Sequence, residues 1–242
     1  MGSPVDELGR YTNEIQHKVT LTKSFYMGVF EVTQAQWELA MGKRPSYFEN
    51  SDYYASRPVE SVSYNDIRGT LSWPSTDRVD EGSFFAVLRS KTGLAFDLPT
   101  EAQWEYACRA GTTNALNIGK ELTSDSICSN MAAVGRYSLK SYSHTVSTGQ
   151  GTAKVGSYLP NAWGIYDMHG NVWEWCLDYY GKYPTSDRND PPGPYSGDTR
   201  VERGGSWYCS AKNCRAAVRY DWSPTYQNSD TGFRVCCPAG QP

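Results

Sequence analysis

From residue 112 to residue 242 we find no window with a sustained helical period, and this feature limits the fold more than any other. Gly, Asn, Ser, Tyr and Trp come in short clusters, with brief strand-like pieces at Arg200–Arg203 and 232–236. Irregular backbone on this scale must still place its N–H and C=O groups, so side-chain hydrogen bonds or ions have to hold it. The composition suits that task. Trp 8, Tyr 18, Phe 7, Gly 22 and Pro 13 describe a turn-rich, aromatic-rich globular chain, large enough to bury a core without disulfides.

The first half is more regular. Alternation at Val19, Leu21, Phe25, Met27 and Val29 predicts one or two strands in 16–33. Thr33 then caps a short helix over 34–40 with Gly42 past its end. Ser63 opens another helix at Tyr64, and 81–91 reads as a third, ending at Gly93. Thr100 with Gln103 forms a capping box for a helix to Ala110, stopped at Gly111. Between them, 43–60 is a long loop bearing Tyr47, Phe48, Tyr53 and Tyr54. No repeat or Gly/Ser linker divides the chain. Residues 1–15 read as an N-terminal extension or an artificial remnant, and 16–242 as one domain.

Several function classes are excluded early. Lys plus Arg is 23 against 26 acids, a net charge of −3, so a basic nucleic-acid binder is not expected. The longest apolar run, Phe84-Phe85-Ala86-Val87-Leu88, is far too short to span a bilayer. Seven cysteines without C-x-x-C, and three histidines without H-E-x-x-H, argue against zinc ribbons and His-based metal enzymes. Cys108 and Cys176 are expected as inert core thiols. The opening Met1-Gly2-Ser3-Pro4 has neither a basic nor an apolar leader region, so the compartment is unread from this chain.

Six stretches carry a resemblance. They are Glu31-Val32-Thr33 with Trp37, then Arg57-Pro58-Val59 with Val62-Ser63-Tyr64-Asn65-Asp66. Next come Leu98-Pro99-Thr100-Glu101-Ala102-Gln103-Trp104-Glu105-Tyr106-Ala107 and Asn161-Ala162-Trp163-Gly164-Ile165-Tyr166-Asp167-Met168. Gly170-Asn171-Val172-Trp173-Glu174-Trp175 follows, and finally Arg203-Gly204-Gly205-Ser206-Trp207 with Gly232-Phe233-Arg234. In this order they resemble the formylglycine-generating-enzyme, or sulfatase-modifying factor, family. The resemblance implies an α+β, C-type-lectin-like fold with a small twisted antiparallel sheet, two main helices and extensive irregular loops. It also implies a cell-surface or extracellular location if a signal has been removed. Trp104, Trp163, Trp173, Trp175 and Trp207 sit inside the motifs and are expected in the core. Arg203, Arg215, Arg219 and Arg234 are expected to anchor loops by bidentate hydrogen bonds.

Fold does not settle function; besides a set of iron-dependent or otherwise modified enzymes that share these motifs, two branches of the family lead in different directions. The oxidase branch converts a sulfatase cysteine to formylglycine with copper, through two cysteines five residues apart after Gly-Gly-Ser-aromatic. Cys209 and Cys214 fall on those positions, although Arg215-Ala216-Ala217 follows Cys214 more closely than in the oxidase. The other branch comprises the variable proteins of diversity-generating retroelements, which carry a mutable binding surface in a region corresponding to about 203–237. Retroelements of this kind randomise adenines. An Asn codon can then become Tyr, Cys, Ser, Val, Asp or Thr with its last base kept.

Against a fixed framework, the mutable positions here are Tyr208, Cys209, Ser210, Val218, Tyr220, Asp221, Trp222, Ser223, Tyr226, Gln227, Asn228 and Asp230, with Thr225 and Ser229 between them. Trp222 and Gln227 lie outside what such codons reach. The mixture of aromatic and small polar residues is that of a paratope. The expected function is therefore display of a diversified surface for a macromolecular ligand, a protein, without chemistry. The alternative is the oxidase. The first reading needs these side chains on one solvent-facing surface, and the second needs the two sulfurs to converge.

The resemblance also implies a structural calcium ion at Asp167, Gly170, Val172 and Glu174, two carboxylates with two backbone carbonyls between them. A second family calcium site would begin at Asn130, but 143–151 offers no clear acidic ligand for it. Glu-Pro-Asn and Gln-Pro-Asp do not occur, so calcium-dependent sugar binding is not expected.

Overall fold

The computed structural model describes residues 1–49, 53–138 and 151–240. Part of the stretch 143–151 therefore lies outside the described residues. Two short strands, β1 (Val19–Thr20) and β2 (Phe25–Met27), precede helix α1 (Gln34–Met41). Helices α2 (Tyr64–Ile67), α3 (Phe84–Thr92), α4 (Glu101–Arg109) and α5 (Ser129–Val134) follow. Then come β3 (Trp173–Tyr179), β4 (Arg188–Asn189), β5 (Arg200–Arg203), β6 (Arg219–Trp222), β7 (Thr231–Gly232) and β8 (Cys236–Pro238).

The helix starts follow local chemistry. Thr33, Ser63 and Thr100 each close a capping box with the residue three positions on, satisfying amide groups that the first turn leaves free. Gly42 and Gly93 end α1 and α3 in the left-handed conformation. α3 begins at Ser83, whose hydroxyl caps it, rather than at 81. α4 ends on Ala110 at φ 44°, one residue before the expected Gly111. α1, α3 and α4 are of similar length, so there are three principal helices rather than two. α5 lies where no helix was expected. It has no side-chain cap and is held by burial of Met131 and Val134.

The main sheet has four strands in the order β6-β5-β3-β7. β6, β5 and β3 run antiparallel, and β7 joins β3 in parallel. β3 was not foreseen as a strand. Its residues alternate Trp173, Trp175, Leu177 against Glu174, Cys176, Asp178, and all six are buried. Trp175 and Leu177 join Trp37, Val59, Val62, Phe84, Phe85 and Phe233 in the largest core cluster. On the other face Cys176 packs with Trp104, Ala107, Cys108 and Met168. Trp104, Trp173, Trp175 and Trp207 are buried as expected. Trp163 is not: it is half exposed and rests edge-on against Tyr106 at 5.0 Å.

The N-terminal segment docks on this body. The Gly2 N–H donates to Glu105 Oε1 at 2.9 Å. Glu7 and Glu14 both receive Arg215. No helix among the described residues is long and apolar enough to cross a membrane.

Candidate functional site

The segment 203–234 is built on a frame of buried arginines. Arg234 meets both oxygens of Glu174 at 2.6 Å, and Arg219 meets both oxygens of Glu101 at 2.6 and 2.8 Å. Arg203 donates to Glu105 at 2.6 Å and to the carbonyls of Ala216, Ala217 and Val218. Arg215 donates to Glu7 and to both oxygens of Glu14. All four guanidinium groups therefore anchor loops, as the sequence suggested. Paired and hydrogen-bonded at close range, they substitute for the ladders that irregular backbone lacks.

Gly204 and Gly205, at φ 94° and 76°, turn the chain into this segment. A Cβ on Gly205 would stand 2.5 Å from Cys214 Sγ, so only glycine lets that sulfur lie against the turn. Cys214 then returns through a tight 3-10 turn, Ala211–Cys214, and its carbonyl accepts from His169 Nδ1–H at 2.7 Å. The two thiols converge. A hydrogen bond from Cys214 holds the Cys209 thiol below its ordinary pKa, and burial pushes the Cys214 thiol well above its own. Ser206 Oγ lies 3.3 Å from Cys209 Sγ. Both cysteines are free, with Cys214 buried and Cys209 partly exposed.

Beside the thiols runs a groove of about 570 Å³. Tyr208, Cys209, Val218, Tyr220, Asp221, Trp222, Tyr226, Asn228 and Asp230 line it, nine of the twelve expected positions. Its rings form a continuous series. Trp173 stacks on Tyr220 at 5.5 Å, Tyr220 meets Trp222 at 5.8 Å, and Trp222 stacks on Tyr226 at 4.1 Å. Tyr220 is 46% exposed and Trp222 37%.

The other three positions stand apart. Ser210 is half-buried, Ser223 pairs with Thr225, and Gln227 turns to Asp66 at the start of α2. Val218 is at the groove but buried, 2% exposed, so it is floor rather than free surface. Six further residues line the groove: Tyr11, Asn13, Trp173 and Tyr180, with Asn213 and Arg219 of the fixed framework. The first two belong to the segment set aside as an extension, and Trp173 was read as core alone.

The expected calcium donors are unequally placed. Glu174 is closed on Arg234 and also accepts from Trp104 Nε1 at 2.7 Å. Asp167 accepts from the Gly156 N–H at 2.7 Å, and its Oδ1 is buried without a partner among the described residues. Burial pushes the Asp167 carboxyl up to about 6. A cation would find one free carboxylate oxygen here and an arginine at the other acid. No group of three His, Cys, Asp or Glu among the described residues is placed to hold a metal.

The family model for the sulfatase-modifying factor enzyme 1-like domain matches residues 1–238. The chain is 32% identical over 209 residues to the formylglycine-generating enzyme of Mus musculus, covering 84% of this chain and 49% of that protein. It thus spans about half the length of that relative. Treponema denticola variable protein 1 superposes with a TM-score of 0.74 at 28% identity, over 98% of this chain and 93% of that one. PvdO from Pseudomonas aeruginosa also superposes with a TM-score of 0.74, at 26% identity over 98% and 90%. The curled sheet, few helices and long loops are therefore the C-type-lectin-like architecture that the motifs implied.

Proposed function

The chain belongs to the sulfatase-modifying factor enzyme 1-like family, and we propose that this member works by binding, displaying residues 208–230 as a diversified surface for a protein ligand. One observation carries the reading: nine of the twelve mutable positions gather on one groove, while most fixed residues of the same segment are buried and only Asn213 and Arg219 among them reach its wall. Such a division lets the groove change without disturbing the frame. Rigid rings with small polar side chains between them give contact area at low entropic cost. The likeness to Treponema denticola variable protein 1 over nearly the whole chain supports it. The test is the DNA around the gene. A near-copy of the 203–237 coding segment should lie close by, differing from it only where that copy has adenine, at the codons of the mutable positions. Absence of such a copy, or differences spread over other bases and framework codons, would overturn the reading.

A second reading is favoured by Cys209, which lines the groove and packs against the buried cluster that contains Cys214. Two thiols so placed suit a soft cation such as Cu(I), and this is the geometry that a formylglycine-generating oxidase would need. A Cu(I) titration and a sulfatase-peptide oxidation assay decide it. Stoichiometric copper binding and peptide oxidation, both lost in Cys209→Ser, would establish the oxidase.

A further inference from the structure

Glu202 occupies the interior of β5, opposite Tyr220 on β6 and Trp175 on β3. Paired residues of an antiparallel ladder share a face, so the acid stands under the Tyr220 ring, on the groove side of the sheet. It is fully buried, and neither carboxyl oxygen has a hydrogen-bond partner among the described residues. The Thr231 hydroxyl faces it from β7 and is likewise unpaired in hydrogen-bond geometry. Around it stand Asp230, Asp221 and Cys209, which add negative charge or none.

Among the described residues no arginine answers this acid. Arg200, two residues back on the same face, is turned to the carbonyls of Leu177 and Trp73 and lies over the rings of Tyr179 and Tyr64. Arg219, the one basic side chain lining the groove among the described residues, is closed on Glu101. An unpaired buried carboxyl is costly, and a chain that keeps one needs a reason. Above it, four contiguous rings present π-faces that attract cations.

We propose that the groove receives a basic side chain, arginine or lysine, of its polypeptide ligand, with the stem among the rings and the charged end beside Glu202 and Asp230. The proposal rests on the binding reading above and names the chemical group that the groove admits. Glu202 is fully buried and pairs with Tyr220 across the ladder, so the proposal requires the Tyr220 ring to move aside for the charged end to reach the acid. Burial holds the Glu202 carboxyl well above its ordinary range, so without a cation beside it the acid keeps its proton. A cation arriving within a few ångström favours the carboxylate. The proton then leaves to solvent as the positive charge enters, and the buried charge balances.

The test is calorimetric titration of the full chain with acetyl-Gly-Arg-Gly-amide and with its neutral citrulline analogue. It is run in two buffers of different ionisation enthalpy. We expect the arginine peptide to bind at least about tenfold more tightly than the citrulline peptide, with up to one proton released per peptide. In Glu202→Gln the preference and the proton release should both disappear. If that variant melts far below the parent, Glu202→Leu, which completes an apolar face with Trp175, serves in its place. A preference below tenfold, or a preference and proton release that survive both substitutions, would overturn the proposal. Failure of the binding reading would show instead in the flanking DNA, whichever peptide binds.

Discussion

The frame and the groove belong to one segment of chain and are built by opposite means. In the frame, Arg203, Arg215, Arg219 and Arg234 are at most 5% exposed, and each is committed to named acids. In the groove, rings meet rings, and the charged partners that fix the frame give way to stacking and to neutral hydrogen bonds such as Asn228 to the Tyr226 hydroxyl. Buried ion pairs tolerate no loss of a partner, because the survivor is left charged in a poorly polarisable interior. Stacked, half-exposed rings tolerate exchange. A groove that varies, as proposed, would rest on such a frame.

Arg234→Ala should break the frame most severely. It strands Glu174, which is fully buried, and should cost about 3–5 kcal/mol in urea denaturation. A loss under about 1 kcal/mol would mean that the ion pair does not hold the loops. Trp173→Ala should cost a similar amount, about 3–5 kcal/mol, since the ring is 6% exposed. It should also loosen the groove, because Tyr220 loses its stacking partner.

The frame should also respond to pH. Burial, then the neighbouring Glu101, pushes the Asp178 carboxyl up to about 7. A raised carboxyl contributes stability below its unfolded pKa, and that contribution is lost as pH rises through about 7. Between about pH 5 and pH 8 this group should remove about 2 kcal/mol, a fall that Asp178→Asn should abolish. An unchanged pH dependence in the variant would place the titration elsewhere.

Groove substitutions should be mild. Tyr226 is half-buried against the core and stacked on Trp222, so Tyr226→Ser should cost about 1 kcal/mol. Tyr220→Ser, at the more exposed ring, should cost about 0.5 kcal/mol. A loss from Tyr220→Ser as large as that from Trp173→Ala would erase the distinction between frame and groove. Calcium gives the smallest effect. With Arg234 already at Glu174, calcium should shift Tm by less than about 2 °C, and a larger rise would show an ion held at Asp167.

What could be read along the chain was what neighbouring residues decide. Thr33, Ser63 and Thr100 announced their helices because a capping box closes within four residues. α5 was missed because Cys128 offers it no side-chain cap and tertiary burial holds it. β3 was missed although its residues alternate. Its polar members are held by distant partners that no neighbouring residue announces: Glu174 is buried against Arg234 and Asp178 under α4. The groove was legible as a set of mutable positions, but its wall at Tyr11 and Asn13 was not.

The residues in order were enough to give the family and the capped helix starts at Thr33, Ser63 and Thr100, and to single out the positions proposed to vary. Each of these is written in motifs or contacts a few residues long. Folding alone brings nine of those positions to one groove, packs Cys209 against the cluster that contains Cys214, and buries Glu202 without a partner in hydrogen-bond geometry. The reason is separation. Arg215 finds Glu7 across 208 residues and Arg234 finds Glu174 across 60, and the cost of a buried charge depends on such distant partners.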